Sequence, residues 1–127
     1  MFLDYGVLPA SKAKLFGMHP HSGIATLSLP MQGEILFADT TGETGVVKTA
    51  GLEWMKAGNG VIHDETLNID SQTGTNRTHG FQFWINLPAK NKMANPHFTM
   101  FWHEHIPHIQ ATDAQGNLTE VVCIAGN

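Results

Sequence analysis

The sequence predicts an all-β fold of antiparallel strands, arranged as a sandwich or barrel. The 127-residue chain contains 13 glycines and only 14% charged residues, which favours a turn-rich β protein over a helical one. Apolar and polar residues alternate with a period of two in short segments, as in strands with one buried face. Clusters of Gly, Asn, Asp and Thr separate these segments and predict turns. The length predicts one domain, residues 1–127, with a sizeable core.

The predicted strands follow one another with turns between them. Residues 1–17 show no period and predict a loop or a short edge strand. A strand begins at His19 and ends at Pro30, and its odd-numbered residues are predicted to face inward. The segment Asp113–Asn117 predicts a hairpin turn between two strands. The other predicted strands are Glu34–Ala38, Val46–Thr49, Leu52–Met55, Val61–Ile69, His79–Pro88, Phe98–Trp102 and Leu118–Ile124.

Two short fragments carry metal-binding side chains at positions i and i+2: His19–His21 and His63–Glu65. On a strand, these positions share a face. Pro20 also disfavours a helical conformation for His19. If the two strands lie side by side, the four side chains meet. Three imidazoles and one carboxylate suit a first-row transition metal.

The flanking residues predict that both pairs point inward. His19 and His21 share their predicted face with Leu27, and His63 and Glu65 share theirs with Leu67. Unpaired polar groups in the interior would cost several kcal/mol each, and a metal would satisfy them. Open coordination positions would make the site catalytic. The alternative is a surface strand end and a polar corner. The donor set does not select the metal, since affinity alone favours copper or nickel.

Other candidates have simpler interpretations. The cluster formed by His103, His105 and His108 lacks the i,i+4 spacing of zinc-protease helices, and Pro107 discourages a helix, so we predict a solvated strand end. His79 is predicted to be structural, or alternatively to orient a metal ligand.

Apolar and aromatic residues account for the remaining candidates. Trp54, Trp84 and Phe83 are predicted to be core or pocket wall, since no basic residues interleave with them to bind nucleic acid. Cys123 is predicted to be an inert buried thiol.

Composition excludes several classes of function. The net charge of −4, without a basic run, argues against nucleic acid as a ligand. No apolar run approaches the roughly 20 residues of a membrane helix, and the first residues lack the features of a signal peptide. The single cysteine rules out an intramolecular disulfide framework, which fits a cytoplasmic protein.

Three segments, FGMHPHSGIATLSL, GLEWMKAGNGVIHDE and HGFQFWINLPAKNKMANPHF, resemble the pirin family of cupin-fold proteins, whose usual forms are close to HPHRGFETVTY, GDxQWMTAGxGIxHSE and GLQLWVNLP. The resemblance runs from about Phe2 to the C-terminus. It implies a jelly-roll type cupin β-barrel with iron inside one end. It also implies that the metal ligands are His19, His21, His63 and Glu65.

The resemblance also raises questions about assembly. Pirins usually contain two barrels, and the likeness here covers the N-terminal, metal-binding barrel without the second cupin. We therefore expect either a fragment or a natural single-cupin protein. Because missing strands would leave unpaired edges, we predict a homodimer in which a partner chain covers or completes the barrel.

Two residues depart from the family's pattern. Ser22 stands where pirins usually have Arg, and Ala25 stands where they usually have Glu. Both lie next to the predicted metal-binding strand. The loss of a charge pair there is expected to alter substrate entry or the pKa of a metal-bound water.

Three functions remain open. The resemblance implies a quercetinase-type dioxygenase that opens the flavonol ring with Fe(II), or with Ni, Cu, Mn, Co or Zn. Glu65 would then be both ligand and general base, and Trp54, Phe81 and Phe83 would line the substrate pocket. The second function is a non-enzymatic, metal-dependent regulator that binds a protein partner. The third is an inactive barrel kept for assembly.

Overall fold

The computed structural model describes residues 1–9, 17–68, 74 and 76–125. They form eleven strands in three antiparallel sheets and two short 3-10 turns, at Ala89–Asn91 and His103–His105. No helix in these ranges is long and apolar enough to cross a membrane. The strands are β1 Phe2–Pro9, β2 His19–His21, β3 Ile24–Gln32, β4 Glu34–Asp39, β5 Thr44–Val47, β6 Leu52–Lys56, β7 Val61–Asn68, β8 Arg77–Asn86, β9 His97–Phe101, β10 His108–Thr112 and β11 Leu118–Val122.

Two of the sheets pack face to face. The large sheet has the order β1-β8-β3-β6-β9, and the small sheet has the order β2-β7-β4-β5. Between them, Phe37 of β4 stacks on Phe98 of β9 with ring centroids 5.6 Å apart. Elsewhere in this interior, Gln82 of β8 reaches Glu65 of β7. The predicted all-β antiparallel fold is therefore confirmed, as a two-sheet sandwich compatible with a jelly roll.

The strand predicted from His19 to Pro30 is divided in two. Gly23 has φ +69°, a left-handed conformation that glycine adopts without steric cost. Its N–H donates to the carbonyl of Gly58 at 2.7 Å. This turn places β2 in the small sheet and β3 in the large one. The alternation of inward and outward residues therefore does not continue from β2 into β3 as it would in one strand.

The face of β3 that meets the histidines is consequently not the predicted one. Ser28 points into the interior, where its hydroxyl donates to Glu65 at 3.5 Å. Successive strand residues alternate between faces, so Leu27 lies on the other side of the large sheet. There it packs with Leu52 and Ile106 in a second buried cluster. The prediction that odd-numbered residues of β3 share the interior with the histidines is wrong, because both faces of the sheet are covered.

The ends of the chain carry exposed apolar strands. Strand β1 is an edge strand paired with β8. An edge strand was one of the two predictions for residues 1–17. Residues 10–16 lie outside the described ranges. Strands β10 and β11 form the predicted hairpin around Asp113, whose carboxylate accepts the N–H groups of Gln115 and Asn117. Most other predicted strands are present with ends that differ by one or two residues, and Ile69 is outside the described ranges.

Candidate metal centre

Pairing of β2 with β7 brings the predicted histidines together. The antiparallel register places His19 opposite His63 and His21 opposite Val61. Because opposed residues of neighbouring strands share a face, all three imidazoles point the same way. One ring nitrogen from each lies within 4.8 Å of the others, and the Nε2 atoms of His19 and His63 are 3.0 Å apart. The structure thus gathers three nitrogen donors in one place.

Burial keeps the rings of His63 and His21 neutral. His63 is 1% exposed, and burial, with smaller effects from His19 and His21, lowers its pKa to about 4. Burial also lowers the pKa of His21, and the neighbouring His19 adds to the effect. At neutral pH these two imidazoles therefore carry no charge, and an unprotonated ring nitrogen is what a metal ion requires.

The contact between His19 and His63 tests whether a metal fits. The Nδ1 atom of His19 lies 2.9 Å from the carbonyl oxygen of Gly17. A carbonyl only accepts, so this nitrogen carries the proton and Nε2 presents a lone pair. Without an ion, the Nε2–H of His63 can donate to this lone pair at 3.0 Å, and a metal ion would replace that proton. Nitrogens that bind one ion at about 2.1 Å and at a right angle also lie about 3 Å apart, so a divalent first-row metal fits.

Glu65 lies beside the three-histidine group. It follows His63 by two residues on β7 and is 2% exposed. Its carboxylate accepts hydrogen bonds from Gln82, at 3.3 and 3.4 Å, and from Ser28 at 3.5 Å. Burial raises its pKa, while Gln82, His19 and Ser28 act in the opposite direction. Within the described ranges, the compact donor group contains the histidines without Glu65, so its role as fourth ligand and base stays a prediction.

Sequence analysis missed a second buried carboxyl in the same interior, Glu53 on β6. It is 1% exposed, and within the described ranges neither oxygen has a hydrogen-bond partner of normal geometry. Burial and then the charge of Glu65 raise its pKa to about 8, with Ser28 close enough to oppose the effect slightly. Between Leu52 and Trp54, a glutamate resembles the solvent-facing residue of a half-buried strand. Its burial follows from the second sheet, which local alternation does not reveal.

Two spaces adjoin the centre. An open cleft of about 510 Å³ lies beside His21. A smaller cavity of about 110 Å³ lies beside Glu65, between the sheets. The cleft is lined by Pro20, His21, Ser22, Thr40, Gly60, Val61 and Ile62. The position of Ser22, one of the two departures from the family's pattern, is therefore on the cleft wall.

The predicted aromatic pocket residues lie in different places. Trp54 and Phe83 pack against the Leu27 cluster on the far face of the large sheet, so the structure does not bring them to the cleft. Phe81 contributes to the wall of the small cavity. The role of all three as a substrate pocket stays a prediction. The cleft residues were not identified from sequence because β2, β7 and the turns next to β2, β4 and β7 each supply only part of the wall.

The remaining candidates lie outside the centre. His103 and His108 are exposed, with ring centroids 5.0 Å apart, and the Nδ1 atom of His108 lies 3.1 Å from Glu120. Their exposure agrees with the prediction, but His103–His105 form a 3-10 turn instead of the predicted strand end. His79 approaches the Tyr5 hydroxyl at 3.4 Å. Cys123 is only partly buried, which corrects the prediction of a buried thiol, because it follows the exposed β10–β11 hairpin.

Known proteins share this arrangement of strands. A family model for pirins matches residues 4–85. A Vibrio cholerae protein whose name assigns it provisionally to the quercetin 2,3-dioxygenases is 44% identical over 91 residues, covering 72% of this chain and 31% of that protein. A crystal structure of quercetin 2,3-dioxygenase from Acinetobacter baumannii matches with a TM-score of 0.79 and 32% identity, covering 98% of this chain and 44% of that one.

A structure of bacterial pirin from Escherichia coli in complex with nickel(II) matches with a TM-score of 0.63 and 28% identity, covering 77% of this chain and 39% of that one. The chain spans about a third of the length of the curated relatives it matches. The family model covers more than half of the chain, including all three histidines of the donor group. The chain therefore belongs to the pirin family.

Proposed function

We propose that this chain binds a divalent metal ion through His19, His21 and His63, with Glu65 as the fourth ligand, and acts as a quercetinase-type dioxygenase. The observation that carries the proposal is the convergence of three imidazoles within 4.8 Å beside an open cleft. Iron(II) is the proposed ion, and Ni, Cu, Mn, Co and Zn are alternatives that the donor set also accommodates. When bound, the ion supplies Lewis-acid and redox chemistry toward dioxygen.

The cleft is the proposed flavonol site because of its size and lining. Pockets for small organic ligands usually measure about 300–1,000 Å³, which includes the cleft of about 510 Å³ and excludes the cavity of about 110 Å³. Ile62, which is 42% exposed, offers apolar contact to the flavonol rings, while Ser22 and Thr40 offer hydroxyl groups. Ser22 brings no positive charge to the cleft, so the anionic form of the substrate depends on the metal for charge stabilisation.

Glu65 is the proposed general base for the flavonol hydroxyl. Burial raises the pKa of its carboxyl, which makes the carboxylate a stronger base than an exposed glutamate. Hydrogen bonds from Gln82 and Ser28 hold the group in one orientation. A carboxylate held in place and shielded from water loses little free energy to reorganisation when it accepts a proton.

A second candidate function, a protein-binding module, is favoured by the exposed apolar side chains on the terminal strands. On β1, Phe2, Leu3 and Tyr5 are each more than half exposed, and on the β10–β11 hairpin Ile109 and Leu118 are as well. Exposed apolar side chains that cluster on a surface often mark interfaces. We propose a homodimer that covers these strands by strand exchange or barrel packing. We also propose that residues 1–127 form a single cupin domain and that the protein is cytoplasmic.

Metal content and turnover separate the two functions. Untagged protein reconstituted with Fe(II) is expected to hold about one metal per chain and to consume quercetin aerobically, measured as loss of flavonol absorbance. His63→Ala is expected to abolish both, and His103→Ala, which alters an exposed histidine, is the matched control. Protein that binds metal without turnover would favour the binding module, and protein that binds none would refute the metal centre. Size-exclusion chromatography with light scattering tests the dimer, and a stable monomer would refute it.

A further inference from the structure

Asp39 of β4 lies directly opposite His63 of β7 in the small sheet. The next pair along carries the backbone hydrogen bond, from the N–H of Thr40 to the carbonyl of Ile62 at 2.9 Å. Hydrogen-bonded and non-hydrogen-bonded pairs alternate along an antiparallel ladder, so Asp39 and His63 form a non-hydrogen-bonded pair. Side chains in such pairs approach most closely, with Cα atoms about 4.5 Å apart. Phe37, two residues earlier, stacks on Phe98 inside the sandwich, so the Asp39 side chain shares that inner face.

The two oxygens of Asp39 have different surroundings. Oδ1 accepts hydrogen bonds from the backbone N–H and the hydroxyl of Thr41, both at 2.6 Å, and from the N–H of Glu43 at 3.3 Å. These bonds stabilise the β4–β5 turn. Oδ2 is buried and has no hydrogen-bond partner among the described residues. The turn therefore accounts for one oxygen of this carboxylate and leaves the other unexplained.

His63 also has a buried polar atom that makes no hydrogen bond within the described residues. Its Nε2 atom faces His19 within the donor group, while its Nδ1 atom is buried and has no hydrogen-bond partner in the part of the chain that the structure describes. Leaving a buried polar atom unsatisfied costs about 1–3 kcal/mol. Because the two atoms belong to directly opposed residues of one close pair, a single hydrogen bond between them would satisfy both. One is an acceptor, and the other becomes a donor when Nε2 binds a metal.

We propose that Asp39 is a positioning residue whose Oδ2 accepts the Nδ1–H of His63, directly or through one water molecule, and so holds Nε2 unprotonated and aimed at the metal. The inference rests on the proposed metal centre. His19 already shows the same arrangement, because its Nδ1 lies 2.9 Å from the carbonyl of Gly17. Acceptors behind ligand imidazoles fix the tautomer and ring orientation, and their loss typically weakens metal binding 10–100-fold.

Asp39→Asn separates this role from the role of Asp39 in the turn. An asparagine oxygen can replace Oδ1, since three donors from Thr41 and Glu43 converge there. The amide NH₂ then faces His63, where it donates instead of accepting and favours the tautomer with a protonated Nε2. The matched control is Thr41→Ala, which removes one donor to Oδ1 and leaves Oδ2 unchanged.

The first readout is the dissociation constant for Ni(II), measured by calorimetry on the chelator-treated full chain. Asp39→Asn is expected to raise it 10–100-fold, and Thr41→Ala to change it less than about threefold. Circular dichroism melts in EDTA report any loss of folding separately. Equal constants for Asp39→Asn and wild type would overturn the proposal, as would equal weakening by both variants.

The second readout needs no variant. In Zn(II)-loaded wild-type protein, long-range ¹H–¹⁵N spectra are expected to show His63 bound through Nε2, with an Nδ1 proton that exchanges slowly with water because Asp39 accepts it. A rapidly exchanging Nδ1 proton, or coordination through Nδ1, would overturn the proposal even if Asp39→Asn failed to fold. If wild-type protein binds neither Ni(II) nor Zn(II), the proposed metal centre is refuted. If it binds metal but the results for Asp39 are negative, only the proposed role of Asp39 is refuted.

Discussion

Replacement of Glu53 by glutamine tests whether the interior of the sandwich keeps this carboxyl protonated. Glu53 is 1% exposed, and its oxygens have no hydrogen-bond partner of normal geometry among the residues described by the structure. Burial, followed by the charge of Glu65 and a smaller effect of Asp39, raises its pKa from 4.5 to about 8. Glutamine has nearly the same shape and no charge, so Glu53→Gln removes the titration while it preserves the packing.

The sign and size of the effect follow from this pKa. A carboxyl whose folded pKa is raised binds its proton more tightly in the folded chain, so its contribution to stability is complete below about pH 4.5 and is lost as the pH rises through about 8. The change from 4.5 to about 8 corresponds to a ceiling of about 5 kcal/mol. Relative to wild type, Glu53→Gln is therefore expected to gain stability as the pH rises, by up to several kcal/mol near pH 9.

Urea unfolding at about pH 5, pH 7 and pH 9 measures this difference, with chelator present so that metal binding does not contribute. Glu104→Gln, at an exposed glutamate, is the control and should follow wild type at every pH. If the free-energy difference between Glu53→Gln and wild type were constant across this range, the buried carboxyl would not be held protonated, and the reasoning would be refuted.

Three further predictions concern the donor group and the packing around it. Since burial lowers the pKa of His63 from 6.5 to about 4, the chelator-treated protein should lose stability as the pH falls through that range, by about 3 kcal/mol in urea unfolding, and His63→Gln should remove that loss. Gly33→Ala should lower the melting temperature by several degrees, because Gly33 has φ +87° and an added Cβ would collide with Thr78. Phe37→Ala should cost about 3–5 kcal/mol in unfolding free energy through loss of the contact with Phe98.

Each of these has a contrary outcome. Unchanged acid sensitivity in His63→Gln would assign the loss of stability to other groups. For Gly33, the control is Gly42→Ala, where φ is +93° but an added Cβ meets nothing within 4 Å; equal effects at both sites would show that backbone strain alone acts. A cost below about 1 kcal/mol for Phe37→Ala would show that the two sheets do not depend on this stack.

The parts of the centre that lie within one strand could be predicted from sequence. The two i,i+2 pairs required only the period of a strand and the conformational preference that Pro20 imposes on His19. The resemblance to pirins, now confirmed by the family model over residues 4–85, then indicated which strands come together. Alternation alone could not specify that pairing, because it fixes faces and leaves neighbours undetermined.

Residues that act across strands could not be predicted in the same way. Asp39 resembles an ordinary turn residue in sequence, and its position opposite His63 depends on the register of β4 and β7. Glu53 resembles the exposed residue of a half-buried strand until the second sheet covers it. Gly23 shows no local sign that its φ of +69° moves the chain from one sheet to the other.

The sequence by itself determined the all-β class and the two histidine-bearing fragments, because strand period and turn chemistry are local properties of neighbouring residues. Only the tertiary structure decided that three imidazoles converge within 4.8 Å. It also turned Glu65 toward Gln82 and placed Asp39 directly opposite His63 in the small sheet. These outcomes depend on sheet order, register and burial on both faces, which arise from contacts between residues far apart in the chain.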